Sequence, residues 1–490
     1  MAGGSGDPDA TTRNNRLLLR QLLEMAAGSR GDPPQHVKPT TSRCIAVEGC
    51  AHGDLDNIYA TLQYLEHTNN IKIELLICCG DFQAVRNEDD LESLSCPPKY
   101  RAMNSFWKYY SGAEIAPFPT LFVGGNHEAS NYLWELYYGG FVAPNIYFLG
   151  FAGVVQFGGI RIGGLSGIYK NHDFHKGHFE RAPYNKDHIK SVYHVRQYDV
   201  LKLMEVRGAI DIFVSHDWPR GITKYGDAQQ LLRQKPHFQQ DIETNQLGSK
   251  AGEQLLHALK PLYWFSAHLH TKFSALVPHP GGHHPTKFLA LDKCLPRRNF
   301  LQVIDIPGGA GPLEFRYDEE WLAITRAYHS FLPLHETPAQ IGGMQAVDLM
   351  AHRHWVEKRL AEKGYAIPTE FHMTAPAYSP NSARHRGGLS PRHLRNPQTE
   401  EFLRLLELPY LLDCKTAPPI PLGVDMIPFH LFTSWLVTGD PNEIPLEDDK
   451  DDSQDMLDDV NGLEESGGLE FNDPNEIVLE DEDNEQYHST

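Results

Sequence analysis

No uninterrupted apolar run of about 18 residues occurs in the chain, so no segment is expected to span a bilayer and no membrane partner is expected. The start, Met1-Ala2-Gly3-Gly4-Ser5-Gly6-Asp7, lacks the basic cluster, apolar core and small-residue cleavage site of a secretory signal. Asp7, Asp9 and Glu24 argue equally against a transit peptide. Cysteine is scarce: there are seven, without regular spacing, and Cys78-Cys79 sit side by side inside an apolar run. That pattern argues against a disulfide framework and predicts reduced thiols in a cytosolic or nuclear compartment. No internal repeat of useful period is present.

Positive charge is also in deficit, with a formal net charge of −20, but the deficit is uneven. Residues 447–490 alone carry roughly −17 and everything before them only about −3. The body is therefore near neutral, and nucleic acid is still an admissible partner wherever cations cluster locally. At 490 residues the chain is long enough for a large core and more than one domain, at roughly 100 to 200 residues each.

Composition divides it further. Residues 1–42 are rich in Gly, Ser, Pro, Asp and Arg and read as a disordered extension. From Arg43 strands and helices alternate: a strand to Gly49, a helix over 54–66, a buried strand over 73–79, then strands at 120–123, 154–157, 160–163, 211–214 and 262–265, with a helix near 132–138. The order predicts an α/β fold, a two-layered or sandwiched core with helices outside, over residues 43–306. A smaller C-terminal domain is expected over 307–439, with helices near 319–331, 345–362 and 399–406 and a flexible linker at 374–398. An acidic disordered tail is expected over 440–490.

Five clusters then stand out, each just past an apolar run. They are Gly49-Cys50-Ala51-His52-Gly53-Asp54, Gly80-Asp81, Gly124-Gly125-Asn126-His127-Glu128, Ser215-His216-Asp217 and Ala267-His268-Leu269-His270. Cys, His, Asp and Asn are ligands for first-row divalent ions, and the carboxyl ends of strands are where an α/β sheet forms its ligand crevice. Cys50, His52, Asp81, Asn126, His216, His268 and His270 are too many for one tetrahedral ion. They suit two ions sharing the Asp81 carboxylate, which could activate a water and stabilise both oxygens of a phosphoryl displacement. His127 is the candidate general acid or electrostatic clamp.

These blocks resemble the signature of the calcineurin-like metallophosphoesterases: Asp-x-His, Gly-Asp, Gly-Asn-His-[Glu/Asp], a His after a strand, and Gly-His-x-His. Cys50 departs from the first Asp and Ala267 from the Gly before His268. With Cys50 in that setting, together with Cys79-Gly80-Asp81-Phe82-Gln83-Ala84-Val85-Arg86 and Ser215-His216-Asp217-Trp218-Pro219-Arg220-Gly221, the chain resembles the RNA lariat debranching enzymes. The resemblance implies a metallophosphoesterase β-sandwich, metal positions at the seven residues above and catalysis by His127. It further implies hydrolysis of the 2′,5′-phosphodiester at the branch of excised intron lariat RNA, in the nucleus with a cytoplasmic pool allowed, and partners among intron-turnover or spliceosome-associated proteins. A thiolate at one position disfavours magnesium, so iron, zinc or manganese is the expected cofactor.

Within the near-neutral body, 166–196 mixes Lys and Arg with His, Tyr and Phe. Cations can hold phosphates while aromatic faces stack on unpaired bases. The family's lariat-recognition loop maps onto this stretch, and Tyr169, Lys170, Phe174, Lys176 and Arg196, with Arg86 outside it, are the candidate RNA contacts. Two other readings compete: a general metallophosphoesterase or nuclease acting on 3′,5′ nucleic acid or phosphate esters, and a non-catalytic scaffold on the same fold.

Overall fold

The computed structural model describes residues 42–339, 347–380 and 392–414. The expected N-terminal extension, apart from Ser42, and the acidic tail lie outside the described residues, as does the middle of the expected linker.

Thirteen strands run through the described residues: β1 (Ser42–Glu48), β2 (Leu75–Cys78), β3 (Thr120–Phe122), β4 (Gly140–Ala143), β5 (Ile146–Phe148), β6 (Ala152–Phe157), β7 (Ile160–Leu165), β8 (Ile212–Ser215), β9 (Tyr263–Ser266), β10 (Phe273–Val277), β11 (Thr286–Ala290), β12 (Leu301–Pro307) and β13 (Phe315–Tyr317). They form two sheets, ordered β12-β1-β2-β3-β5-β4 and β10-β11-β9-β8-β7-β6-β13. In each sheet the middle is parallel: β1, β2, β3 and β5 in the first, β7, β8, β9 and β11 in the second. The antiparallel pairings lie toward the sheet margins.

Side-chain alternation explains the sandwich. Ile45, Val47, Leu75, Ile77 and Leu121 of the first sheet share one buried layer with Ile162, Ile212, Val214 and Phe265 of the second. The intervening Ala46, Leu76, Cys78 and Phe122 point the other way, onto Leu55, Ile58 and Leu62 of the helix Leu55–Asn69. On the far side Phe213 and Trp264 pack under helices including Gln197–Met204 and Lys250–Leu259. Both faces of each parallel block are thus covered, which is why these strands read as continuous apolar runs rather than alternating ones. Burial of each large aliphatic side chain contributes roughly 1.5–3 kcal/mol before entropy is set against it.

The chain after β12 packs on the same cores. Helix Glu319–Tyr328 is capped by Asp318, whose Oδ1 accepts from Trp321 N at 3.0 Å and whose carboxylate also holds Arg161. Helix Leu349–Lys363 lies against it. Helix Pro397–Leu405 covers an exposed sheet edge: Gln398 accepts from Phe141 N and donates to Phe141 O of β4, both at 2.8 Å, standing in for a neighbouring strand. The described ends of the stretch expected to be a linker are fixed rather than loose. Thr374 hydrogen-bonds Arg86 and Glu135, and Pro397 already opens a helix.

Candidate metal centre

Cys50, Asp81, Asn126, His216 and His268 follow β1, β2, β3, β8 and β9, so five parallel strand ends deliver them to one crevice. The loops that do this are conformationally costly. His52, Asp81, Gln83, His268 and His270 all hold left-handed backbone, with φ of 44°, 47°, 56°, 64° and 45°. Non-glycine residues there are uncommon, and such strain concentrates at functional sites. Two glycines make room. A Cβ on Gly80 (φ 112°) would lie 2.3 Å from His216 Nδ1, and one on Gly125 would lie 2.2 Å from Asp81 Oδ1.

One ligand atom each from Cys50, His52, Asp81 and His270 falls within 4.8 Å of the others. Asp81 links this group to a second. Its Oδ2 is 3.8 Å from His52 Nε2 and its Oδ1 is 3.3 Å from His216 Nε2. His216 Nε2 is also 3.0 Å from Asn126 Oδ1, and the His216 and His268 rings are 4.9 Å apart. His268 N donates to Cys50 Sγ at 3.2 Å, closing the circle. The seven expected residues are thus brought together, with Asp81 between the two halves.

Protonation favours cations in this donor set. Burial pushes His52 down to about 4, His268 to about 3 and His270 well below its usual range, so these imidazoles are neutral ligands near pH 7. Burial opposes ionisation of Asp81, but the rings of His216, His127 and His52 and the His127 N–H hold it well below the usual carboxylate range. Burial raises the Cys50 thiol, with Asp81 and Glu48 adding to the effect, so uptake of a cation there is coupled to loss of a proton.

A surrounding layer fixes the ligands. His216 Nδ1–H donates to Cys79 O at 2.9 Å, which directs Nε2 into the crevice. Gln83 Nε2 lies 3.1 Å from His52 Nδ1. Glu128 accepts from Phe82 N, Gly125 N and Gln83 N at 2.8–2.9 Å, tying the Asp81 loop to the Asn126 loop. His127 N donates to Asp81 Oδ1 at 2.8 Å, and its Nδ1–H donates to Ser95 O at 2.8 Å, so proton exchange falls to Nε2. Gln83 and Glu128 lie inside the motifs that flagged the site, but ligand chemistry alone does not single them out. Ser95 acts through its carbonyl and carries no side-chain signal.

The candidate RNA contacts divide. Tyr169 and Lys170 are half-buried, and Tyr169 N donates to Asp217 Oδ2 beside the ligand His216. Phe174 is only 4% exposed and packs against Tyr169 and His175, so it is a core residue rather than a stacking surface. Arg196 is fully buried, donating to Glu180 Oε1, Asp173 O and Ser191 O, and so holds the excursion's own fold. Lys176 is paired with Asp173 at 3.0 Å and Glu336 at 3.5 Å. Arg86, expected at a phosphate, is 1% exposed; Asp90 chelates it, Glu135 pairs with it at 2.9 Å and Tyr132 lies under its guanidinium. Its charge is neutralised inside the protein.

Residues 45–272 match the family model for the calcineurin-like phosphoesterases, and residues 283–411 match that for the C-terminal domain of lariat debranching enzyme. The lariat debranching enzyme of Arabidopsis thaliana is 57% identical over 412 residues, covering 84% of this chain and 96% of that protein. The chain belongs to the lariat debranching enzyme family. Lariat debranching enzyme A of Xenopus laevis is 47% identical over 439 residues, covering 84% of this chain and 82% of its own. The Homo sapiens lariat debranching enzyme is 45% identical over 437 residues, covering 83% and 80%. Membership makes the chain a phosphoesterase, and the calcineurin-like fold implies divalent metals, for which the converging donor atoms fit. Among the described residues no helix is long and apolar enough to cross a membrane.

Proposed function

We propose that this debranching-family chain hydrolyses the 2′,5′-phosphodiester at the branch point of intron lariat RNA, using two divalent ions. The observation that carries the two-ion reading is the Asp81 carboxylate, one oxygen toward His52 and the other toward His216. Cys50, His52, Asp81 and His270 would hold one ion, and Asp81, Asn126, His216 and His268 the other. Bound there, the ions supply Lewis acidity toward phosphoryl oxygens and lower the pKa of water. The Cys50 thiolate favours iron, zinc or manganese over magnesium at its position.

The protein's own groups do the rest. A hydrogen bond donated to Cys79 O orients the His216 ring, and one from Gln83 Nε2 orients the His52 ring. His127, held through Nδ1 by Ser95 O, presents Nε2 to donate a proton to the departing 2′ oxygen. Tyr169 and Lys170, next to Asp217, are the proposed contacts of the 166–196 excursion with RNA, Lys170 with phosphate and Tyr169 with a base. Nuclear residence is proposed because lariats arise where splicing occurs, with intron-turnover or spliceosome-associated proteins as the corresponding partners.

The test is a synthetic 2′,5′-branched RNA beside its linear 3′,5′ counterpart, each incubated with chelated enzyme reloaded with iron, zinc, manganese or magnesium. Rapid cleavage of the branch alone is expected with at least one of the first three. Equal turnover of both RNAs would favour the general phosphoesterase, and a metal-loaded protein that leaves the branch intact would favour the scaffold.

A further inference from the structure

Tyr169 and Lys170, the candidate RNA contacts of the 166–196 excursion, stand at the His216 end of the Asp81 carboxylate. Tyr169 N binds Asp217, the neighbour of His216, and His216 faces Oδ1. The other oxygen faces His52, and a different set of residues borders that ligand. Asn104, exposed and with φ of 45°, donates from Nδ2 to His52 O at 2.7 Å. Trp107 Nε1 in turn donates to Asn104 O at 3.0 Å, which puts a half-buried indole two hydrogen bonds from a metal ligand.

Trp107 is paired with an aromatic from much later in the chain. Tyr378 is half-buried and meets the indole edge to face, with ring centroids 5.2 Å apart. The segment that delivers Tyr378 is tied down by backbone and side chain alike. Tyr378 N donates to Arg86 O at 2.8 Å, and Asn87 Nδ2 donates to Pro376 O at 2.7 Å. Tyr110 OH donates to Ala375 O at 2.8 Å, so the Tyr378 amide bond to Arg86 is one of several anchors on this segment. The Tyr378 backbone and the Trp107 indole N–H are therefore both hydrogen-bonded in place, and the two rings rest on each other.

We propose that Trp107 and Tyr378 form a stacking platform for an unpaired nucleobase of the substrate RNA, on the His52 side of the site. The proposal rests on the branched-RNA reading above. Three RNA arms leave a branch phosphate, and Tyr169 and Lys170 of the excursion account for a grip at the His216 end. A second, sequence-tolerant grip at the His52 end would fix the branch between two surfaces, and an aromatic pair already in place stacks a base at little entropic cost.

The test is a coupling cycle between protein ring and RNA base. Affinities of the metal-loaded full-length protein are measured for branched RNAs built with a non-cleavable branch linkage, in which each arm position near the branch is made abasic in turn. For wild type, one position is expected to weaken binding about tenfold, in line with the loss of one base–aromatic stack. Tyr378→Leu keeps the backbone bond to Arg86; it should bind intact RNA about as weakly as wild type binds that abasic RNA, with no further loss on removing the base. Tyr378→Phe, which keeps the ring, should behave as wild type. Equal abasic penalties in Tyr378→Leu and wild type at every position would overturn the platform and leave debranching itself untouched. If Tyr378→Leu does not fold, Trp107→Phe enters the same cycle, with a reduced penalty expected and an unchanged one overturning the proposal. Failure of wild type to cleave an unmodified 2′,5′ branch would instead count against the function on which the platform rests.

Discussion

Single residues at this site are constrained by space as well as by chemistry. Gly125 is the sharpest case, because any side chain there meets the Asp81 carboxylate at 2.2 Å. Gly125→Ala should therefore fold but take up less metal per chain than wild type, read by elemental analysis after reloading. His127 is constrained differently: its backbone supports Asp81 while its ring lies outside the group formed by Cys50, His52, Asp81 and His270. His127→Ala keeps the backbone bond and should lower turnover of branched RNA by roughly 10²- to 10⁴-fold, the usual range for a proton-transfer residue. Binding of the same RNA should change little; a large binding loss with unchanged single-turnover chemistry would sink the role.

At the scale of elements, the chain after β12 locks loops of the phosphoesterase core. Thr374 Oγ1 donates to Glu135 Oε2 at 2.6 Å and accepts from Arg86 at 2.8 Å, joining that segment to the loop that carries Asp81. Thr374→Val leaves a buried charged pair without its third partner and should cost about 2 kcal/mol, read as a lower denaturant midpoint at unchanged slope. His329 joins another piece of the same region to the core. It accepts from Tyr138 OH at Nδ1 and donates from Nε2 to Pro409 O.

Burial pushes His329 down from 6.5 to about 4. On acidification the unfolded chain takes up this proton first, so the stability it contributes is complete above about pH 6.5 and is lost as pH falls toward 4. The loss should reach roughly 2 kcal/mol by pH 5. In denaturant titrations at pH 7 and pH 5, His329→Asn should be less stable than wild type at pH 7 and lose about that much less between the two. Equal losses would remove His329 from the acid response.

Across the whole molecule, net charge is a poor guide to where RNA binds, since most of the −20 lies in 447–490. The candidate cations also differ in availability. Arg86 and Arg196 are buried among acceptors, while Lys170 and Lys176 are both half-buried; Lys176 reaches Asp173 and Glu336, and Lys170 adjoins Tyr169, whose N–H meets Asp217 next to His216. Lys170→Ala should lower the slope of log affinity against log salt by about 0.7, the value for one phosphate contact on a single strand. Lys176→Ala should change it less, and the reverse order would overturn this assignment.

The sequence by itself determined the alternating elements, the sandwich class and the candidate metal-binding residues that the fold brings together. Strands covered on both faces must be continuously apolar, and ligands at their carboxyl ends are recognisable by residue type without knowing the packing. Cys50 and His52 were legible in this way, and so were Asp81, Asn126, His216, His268 and His270. Tertiary structure alone decided which cations face solvent, because a guanidinium in the sequence looks the same whether its partner is a phosphate or a buried carboxylate. Beyond the nearby Asp90, Arg86 finds Glu135, and Phe174 finds the core, through contacts that no local pattern encodes. The same holds for Trp107 and Tyr378, brought edge to face from positions 271 residues apart in the chain by the fold alone.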